Sequence, residues 1–541
     1  MLSIKIDDEL SLTKRTPAEA EAVKDEIEKF GDIVFHMKNR RTKKKGFVPS
    51  TYMAKKGSLE WQELLQQLAK GYRLPMPAFM GTEEANINAV YLIMLACWLE
   101  DPQKRPSFES LKNDLENFEL VRDENWCKMK AACLRELSFF ALVGLSWAIP
   151  TTKEYKGPSQ ESIIQAKAIL DKYPIIDGHN DFVMGLRTYF ENDLTNFDFN
   201  TNLSAIEPWA SHYADDTDIP RMKEGRVGGQ FWSSFISCDA QYKDAVQLFM
   251  EQIDVIKRLV QDNPNDMTFV TDAQGIEQAF ADKKIASLIG VESGHAIGES
   301  LGMLRMLYEL GARYMTLTHT CNTPWADAAQ VESGELPVRS DGLSDFGKLV
   351  VQEMNRLGML VDLSHVSART MADAMDVTRA PVIFSHSSAR SVYDHPRNVP
   401  DEILSRLTDI DGIVMVNFFS CFVVPDCSEN HGNVLDIVAH VNKIREVAGV
   451  DHVGIGSDFC GVDISPEGLE DSAGYPNLFA ALLEDGWTEE ELGKLASGNL
   501  IRVFKAVEAI RDTLTSEEPF QAWIPSEEVQ ADESQCRMEP W

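Results

Sequence analysis

Met359-Leu360-Val361-Asp362-Leu363-Ser364 is a run of strand length, mostly apolar, that ends against His365. A strand with one face in water alternates apolar and polar residues. A near-continuous apolar run belongs to a strand covered on both faces, as in a parallel sheet under helices. Seven more runs share this character, at 174–178, 229–237, 286–291, 313–318, 381–385, 412–418 and 451–457. Between them lie stretches with apolar residues at helical spacing, among them 244–262, 302–310 and 346–357. Eight such units predict an α/β fold, a closed (β/α)8 barrel of the TIM type.

The 541 residues are 44% hydrophobic and carry a net charge of −33. That is enough apolar material for a large core. The acid excess excludes nucleic acid as a partner, because phosphate binding needs a basic face. The charge is uneven. Residues 1–153 hold 23 basic and 22 acidic side chains, which leaves a net of −34 for residues 154–541. Nine cysteines without a CxxC pair do not make a disulfide-built scaffold.

The expected organisation has four parts: 1–128, 129–150, 155–515, and a polar, mobile tail at 516–541. Residues 1–128 form a small, mostly helical fragment. Gly46-Phe47-Val48-Pro49-Ser50-Thr51-Tyr52 resembles the last strand of the small β-barrel that precedes Src-like tyrosine kinases. Gly71-Tyr72-Arg73-Leu74-Pro75-Met76-Pro77, Cys97-Trp98 and Arg105-Pro106-Ser107-Phe108 resemble the last helices of a tyrosine-kinase lobe. The phosphate loop, the Val-Ala-Ile-Lys lysine, His-Arg-Asp and Asp-Phe-Gly are missing from this fragment, so no ATP binding is expected there. Residues 129–150 hold an apolar run from Leu137 to Ile149, preceded by Lys130 and Arg135, with the small-x-small stretch Ser146-Trp147-Ala148 near its end. This is the pattern of a secretory signal peptide, displaced from the N-terminus. If it functions, the protein is secreted or associated with the outer face of a membrane.

A barrel of this kind carries its chemistry at the C-terminal ends of its strands. The first run ends in Gly178-His179-Asn180-Asp181, the third in Glu292, the fourth in His319, the fifth in His365, the sixth in His386 and the eighth in Asp458. So many titratable groups at one rim are costly unless cations neutralise them. Imidazole and carboxylate suit zinc. His179 and Asp181, two apart on a strand, share a face and can grip one ion. His365 and His386, on adjacent strands, can grip a second, with Glu292 between them as a bridge. Two ions so placed lower the pKa of a shared water.

The motifs Asp177-Gly178-His179-Asn180-Asp181, Gly290-Val291-Glu292-Ser293-Gly294-His295, Thr318-His319-Thr320-Cys321-Asn322-Thr323-Pro324-Trp325-Ala326-Asp327, Asp362-Leu363-Ser364-His365, Ser385-His386-Ser387, Arg397-Asn398-Val399-Pro400 and Gly456-Ser457-Asp458-Phe459 occur in order along the chain. From about residue 160 onward the sequence resembles the membrane (renal) dipeptidases, binuclear zinc enzymes of the amidohydrolase superfamily. The resemblance implies hydrolysis of dipeptides by a metal-bridging hydroxide, with two zinc ions per subunit on His179, Asp181, Glu292, His365 and His386. It implies substrate contacts from His319, Arg397 and Asp458. Arg397 offers a planar fork for a free α-carboxylate. His319 can stabilise the oxyanion, and Asp458 can shuttle the proton. The resemblance further implies a Cys238–Cys321 disulfide and a homodimer that Cys536 can link. Cys427 has Cys421 as a candidate partner, and Cys460 is a candidate free thiol. Asn202-Leu203-Ser204 is a glycosylation sequon. The other histidines (His212, His295, His395, His431, His440 and His452) read as structural or exposed, with His295 a candidate partner near Glu292. Two other readings stay open: a different amidohydrolase, such as a deacetylase or lactonase, and a non-catalytic adaptor built on the kinase-like segment.

Overall fold

A computed structural model describes residues 35–38, 45–48, 157–211 and 216–529. The chain divides into two compact units, Met1–Glu154 and Tyr155–Trp541. In the first, β1 (Phe35–Lys38) and β2 (Lys45–Val48) pair antiparallel, with Phe35 opposite Val48. The helices expected in this unit, the signal-like run 129–150, His212 and Cys536 lie outside the described residues.

Among its described residues the second unit contributes nine strands: β3 (Ile175–Asn180), β4 (Val227–Phe235), β5 (Met267–Phe269), β6 (Ile285–Glu292), β7 (Ala312–Thr316), β8 (Leu360–Asp362), β9 (Val382–Phe384), β10 (Ile413–Val416) and β11 (Val453–Ile455). All except β5 form a closed parallel ring in the order β3, β4, β6, β7, β8, β9, β10, β11 and back to β3. This is the (β/α)8 barrel read from the apolar runs, and all eight runs fall on ring strands. The extra strand β5 pairs along the start of β6. Its three residues, Met-Thr-Phe, are too few to leave a periodic signal.

Alternation along the strands divides the core into two layers. Ile176, Phe231, Leu288, Tyr314, Leu360, Ile383, Ile413 and Met415 belong to one buried cluster. Their neighbours Ile175, Trp232, Ile289, Met315, Val361, Val382 and Val414 belong to the other, packed with the helices. The expected helices are Ala245–Asp262, Leu301–Glu309 and Asp345–Leu357. Local chemistry fixes their ends. Ser300 and Ser344 accept from the amides of Met303 and Gly347, and Gly358 closes the last helix at φ 79°. Inside the barrel the strand ends crowd together. A Cβ on Gly456 would stand 1.8 Å from the Ser385 carbonyl oxygen, so no other residue fits there without moving a strand.

The polar segment after residue 515 is held to the barrel as far as Glu528. Arg379 Nη1 pairs with Glu517 at 2.7 Å. Arg305 Nη1 donates to the Phe520 carbonyl at 3.1 Å, and Arg339 Nη2 donates to the Glu528 carbonyl at 3.0 Å. Ser344 Oγ donates to the Glu528 carboxylate. The hub is Glu353, fully buried in the helix Asp345–Leu357. It accepts from Arg305 Nη1 at 2.9 Å, from Arg356 Nε at 2.7 Å and Nη2 at 2.8 Å, and from the Phe520 amide. Burial opposes its charge, but the two arginines overcome burial and hold its carboxyl below the usual range.

The folded pKa of Glu353 therefore lies below the unfolded one. Its stabilising contribution is complete above the unfolded value and falls away as pH drops through the folded value. Glu353→Gln leaves two cations facing a neutral group and should cost on the order of 3 kcal/mol at neutral pH. It should also flatten the acid limb of the stability–pH curve, as followed by urea denaturation between pH 3 and pH 7.

Candidate metal centre and active site

The backbone beyond the strands is strained where the polar groups gather. His365 (φ 68°) and Asp458 (φ 69°) hold left-handed conformations, and Ser293, directly after Glu292, sits at φ 114°. Each such non-glycine residue costs about 1–3 kcal/mol and persists only where its surroundings over-determine it. Asp181 corrects the strand-alternation reading. It lies one residue past β3, as N-cap of the helix Phe182–Phe190, so the turn rather than the pleat brings it back toward His179.

The structure brings all five expected ligands together. His179 Nε2 lies 3.2 Å from Asp181 Oδ2 and 3.3 Å from Glu292 Oε2. Glu292 Oε1 lies 3.0 Å from His365 Nε2 and 3.5 Å from His386 Nε2. Glu292 thus divides its two oxygens between the two histidine sets, and Ser233 Oγ donates to Oε2 at 3.0 Å. His386 and His365 face each other Nε2 to Nε2 at 2.9 Å. His319 Nε2 stands 3.7 Å from Glu292 Oε1, and Asp458 Oδ1 stands 3.9 Å from His179 Nε2.

Electrostatics follows from burial. His365 and His386 are driven well below the ordinary imidazole value, first by burial and then by nearby cationic groups, so both are neutral. His179 is the exception. Burial opposes its charge, yet Tyr314, Glu292 and Asp181 raise its pKa. Burial pushes Asp458 up to about 8, with Asp181 and Glu292 adding repulsion. Asn417 Nδ2 donates to Asp458 Oδ2 at 2.7 Å and leaves Oδ1 as the free oxygen.

These donors fit metal ions. Asp181 Oδ1 is buried without a hydrogen-bond partner. Among the described residues three groups could hold an ion: His179 with Glu292 and His386, Glu292 with His319 and His365, and His179 with Asp181 and Asp458. Neutral imidazoles, carboxylates and an orphan carboxylate oxygen are the chemistry of a cation site.

Arg397 lies beside this cluster, 3% exposed. Nη2 donates to the His386 carbonyl at 3.3 Å and Nη1 to Ser387 Oγ at 3.5 Å, while Nε has no partner. Burial lowers its pKa to about 10. Its guanidinium carbon sits 5.2 Å from the centre of the Phe422 ring, and His395 Nδ1 accepts from its backbone amide. Phe422 is pinned by a Cys421–Cys427 disulfide. The expected Cys238–Cys321 disulfide is present, with Cys321 next to Thr320 and two residues from His319. Cys460 is a buried free thiol. His319 is sandwiched between Phe235 and His365, with ring centres 4.7 and 4.2 Å apart. His295 does not hold Glu292; it bonds Ser293 Oγ and abuts Phe249.

Residues 163–518 match the family model "Membrane dipeptidase (Peptidase family M19)". The chain belongs to the membrane dipeptidase family. Over 361 residues it is 43% identical to Dipeptidase 3 of Mus musculus and 42% identical to that of Rattus norvegicus, covering 67% of this chain and 70% of each relative. A metallo peptidase from Rhodobacter sphaeroides, solved with a phosphinate mimic of the dipeptide L-Ala-D-Ala, is similar over 62% of this chain and 99% of its own. Its TM-score is 0.53 at 25% identity. A family M19 dipeptidase described as a metallo peptidase has a TM-score of 0.54 at 25% identity, over 62% of this chain and 98% of its own. Residues 50–115 match the protein tyrosine and serine/threonine kinase family model. This chain is accordingly a hydrolase of the dipeptidase class with a short kinase-like segment ahead of the barrel.

Sequence reasoning missed several groups that set this membrane-dipeptidase site. Tyr314 OH bonds His179 Nδ1 at 2.8 Å from inside the barrel, where Gly290 makes room: a Cβ there would lie 2.0 Å from the Tyr314 ring. Nothing in the sequence of β7 marks Tyr314 as more than a core aromatic. Tyr314→Phe removes the partner that fixes the His179 ring. It should lower metal affinity about 10-fold or more with little change in fold, as read by chelator competition and circular dichroism.

Proposed function

We propose that the protein hydrolyses the peptide bond of dipeptides and holds two zinc ions on His179, Asp181, Glu292, His365 and His386. The observation that carries this reading is Glu292, whose Oε2 faces His179 while its Oε1 faces His365 and His386. A carboxylate so divided suits a bridge between two cations. Bound there, the ions supply positive charge that lowers the pKa of the attacking water and polarises the scissile carbonyl.

The chain's own residues do the rest. Arg397 receives the free α-carboxylate through its guanidinium, whose Nε has no partner, which directs the enzyme to short peptides with a free C-terminus. Thr320 Oγ1, 3.1 Å from His319 Nδ1, can donate to it and leave the proton on Nε2. His319 Nε2 then faces the developing oxyanion as a donor. Asp458, with Oδ2 held by Asn417, takes the water proton on Oδ1 and passes it to the leaving amine. We extend the proposal to a secreted or membrane-associated, glycosylated homodimer. The two disulfides and the exposed Asn202 of the sequon support that setting. Among the described residues no helix is long and apolar enough to cross a membrane.

The purified full chain should bind about two zinc ions and cleave a Gly–D-Ala type dipeptide, and should lose activity on chelation and regain it with zinc. Metal binding without dipeptide cleavage would point to a different amidohydrolase. Arg397→Ala should lower kcat/KM at least about 30-fold, chiefly through KM, because a buried partner of the substrate carboxylate is worth about 2 kcal/mol or more. His386→Ala should reduce the zinc content.

A further inference from the structure

Two buried aspartates with no part in the chemistry above lie beneath the ligand set, and their surroundings match donor for donor. Asp177, in β3, accepts at Oδ1 from the amides of His179 (3.2 Å) and Ser457 (2.9 Å). At Oδ2 it accepts from Ser457 Oγ and Tyr475 OH, both at 2.6 Å. Asp362, at the end of β8, accepts at Oδ1 from the amides of Ser364 (3.1 Å) and Ser385 (2.8 Å). At Oδ2 it accepts from Ser385 Oγ at 2.6 Å and Thr316 Oγ1 at 2.5 Å. In each case one carboxylate oxygen takes two backbone amides and the other takes two hydroxyls. One of those amides and one of those hydroxyls belong to the same serine, on the neighbouring strand end.

The neighbours of these contacts are the functional residues. The Asp177 clamp joins the segment carrying His179 to the one carrying Asp458, whose amide donates to the His179 carbonyl at 3.2 Å. The Asp362 clamp joins the segment carrying His365 to the one carrying His386, whose amide donates to Ser364 Oγ at 3.0 Å. The second clamp reaches further. Ser385 Oγ has one proton and gives it to Asp362, because a carboxylate in four hydrogen bonds can only accept. Toward His386 Nδ1, 2.8 Å away, that hydroxyl must therefore accept. His386 then carries its proton on Nδ1 and presents Nε2 bare to the site.

We propose that Asp177 and Asp362 are paired positioning residues, one for each half of the metal centre, and that Asp362, acting through Ser385, fixes His386 in the tautomer that ligates through Nε2. The proposal rests on the metal-centre reading above. It predicts effects confined to one half. In Asp362→Asn the two backbone amides cannot reverse, so the new NH2 must turn to the hydroxyls. Ser385 is then free to donate to His386 Nδ1, which moves the ring proton to Nε2.

The test uses the full chain as wild type, Asp362→Asn, Ser385→Ala and Asp177→Asn, with zinc retention measured by chelator competition and ring tautomers by 15N-histidine NMR after metal stripping. Asp362→Asn and Ser385→Ala should lower zinc affinity about 10–100-fold. His386 should pass from the Nδ1–H form of the wild type to the Nε2–H form in Asp362→Asn and to a mixture in Ser385→Ala. Asp177→Asn should weaken zinc while leaving the His386 tautomer as in the wild type. Wild-type affinity and tautomer in both Asp362→Asn and Ser385→Ala, even with lowered melting temperatures, would overturn the proposal and leave the clamps a purely structural role. Should Asp362→Asn fail to fold, Ser385→Ala decides, since it keeps three of the four donors to Asp362. A wild type that binds no zinc would sink the metal reading alone, because the tautomer measurement still judges the clamp.

Discussion

Three carboxylates and four imidazoles share one buried mouth, and their mutual charge is the constraint on which the rest of this barrel depends. Asp181, Glu292 and Asp458 are each under one-tenth exposed, and so are His179, His365 and His386. Left to themselves, such groups cancel charge by moving protons: Asp458 rises toward 8 and His179 rises above its ordinary value. Bound cations reverse that logic, because they favour ionised carboxylates and bare imidazole nitrogens together. The same cluster that is costly when empty of positive charge becomes a well-matched site once charge is supplied.

Holding such groups a few ångströms apart requires a stiff frame. The closed ring supplies it, with each strand end tied to the next by backbone pairing and by the buried aspartates Asp177 and Asp362. Positive φ at Ser293, His365 and Asp458 shows where the frame forces the chain off its preferred path. Several kcal/mol of strain is sustained there because an extensive apolar core lies behind it.

The fold was legible because each ring strand is buried on both faces, so its sequence reads as an apolar run rather than an alternation. The ligands were legible for a related reason. A charged or imidazole side chain at the end of such a run has no structural motive, so His365 after Met359–Ser364 and Glu292 after Ala286–Val291 stand out at once. The supporting groups were not legible. Tyr314 and Ser385 are ordinary residues in their local sequence, and only ring closure brings Tyr314 to His179. Asp362 lies in plain view beside His365, but its partners Thr316 and Ser385 come from two other strands. Asp181 was identified for an imperfect reason: the turn into the next helix, not the strand pleat, returns it to the site.

The uneven charge of the chain bears on what the site can recognise. A net of −34 after residue 153 sets a field that repels anions. At physiological ionic strength that field is screened beyond about 8 Å. A dipeptide is a zwitterion, so its approach is nearly indifferent to the distant acids, and short-range groups decide its orientation. In the proposed reading that choice falls to Arg397, whose charge is fully desolvated and therefore acts at close quarters in a low dielectric. A longer peptide loses the free carboxylate from this position, and with it the short-range partner that Arg397 offers. In that reading, selection for short substrates follows from one buried guanidinium beside the ligand set.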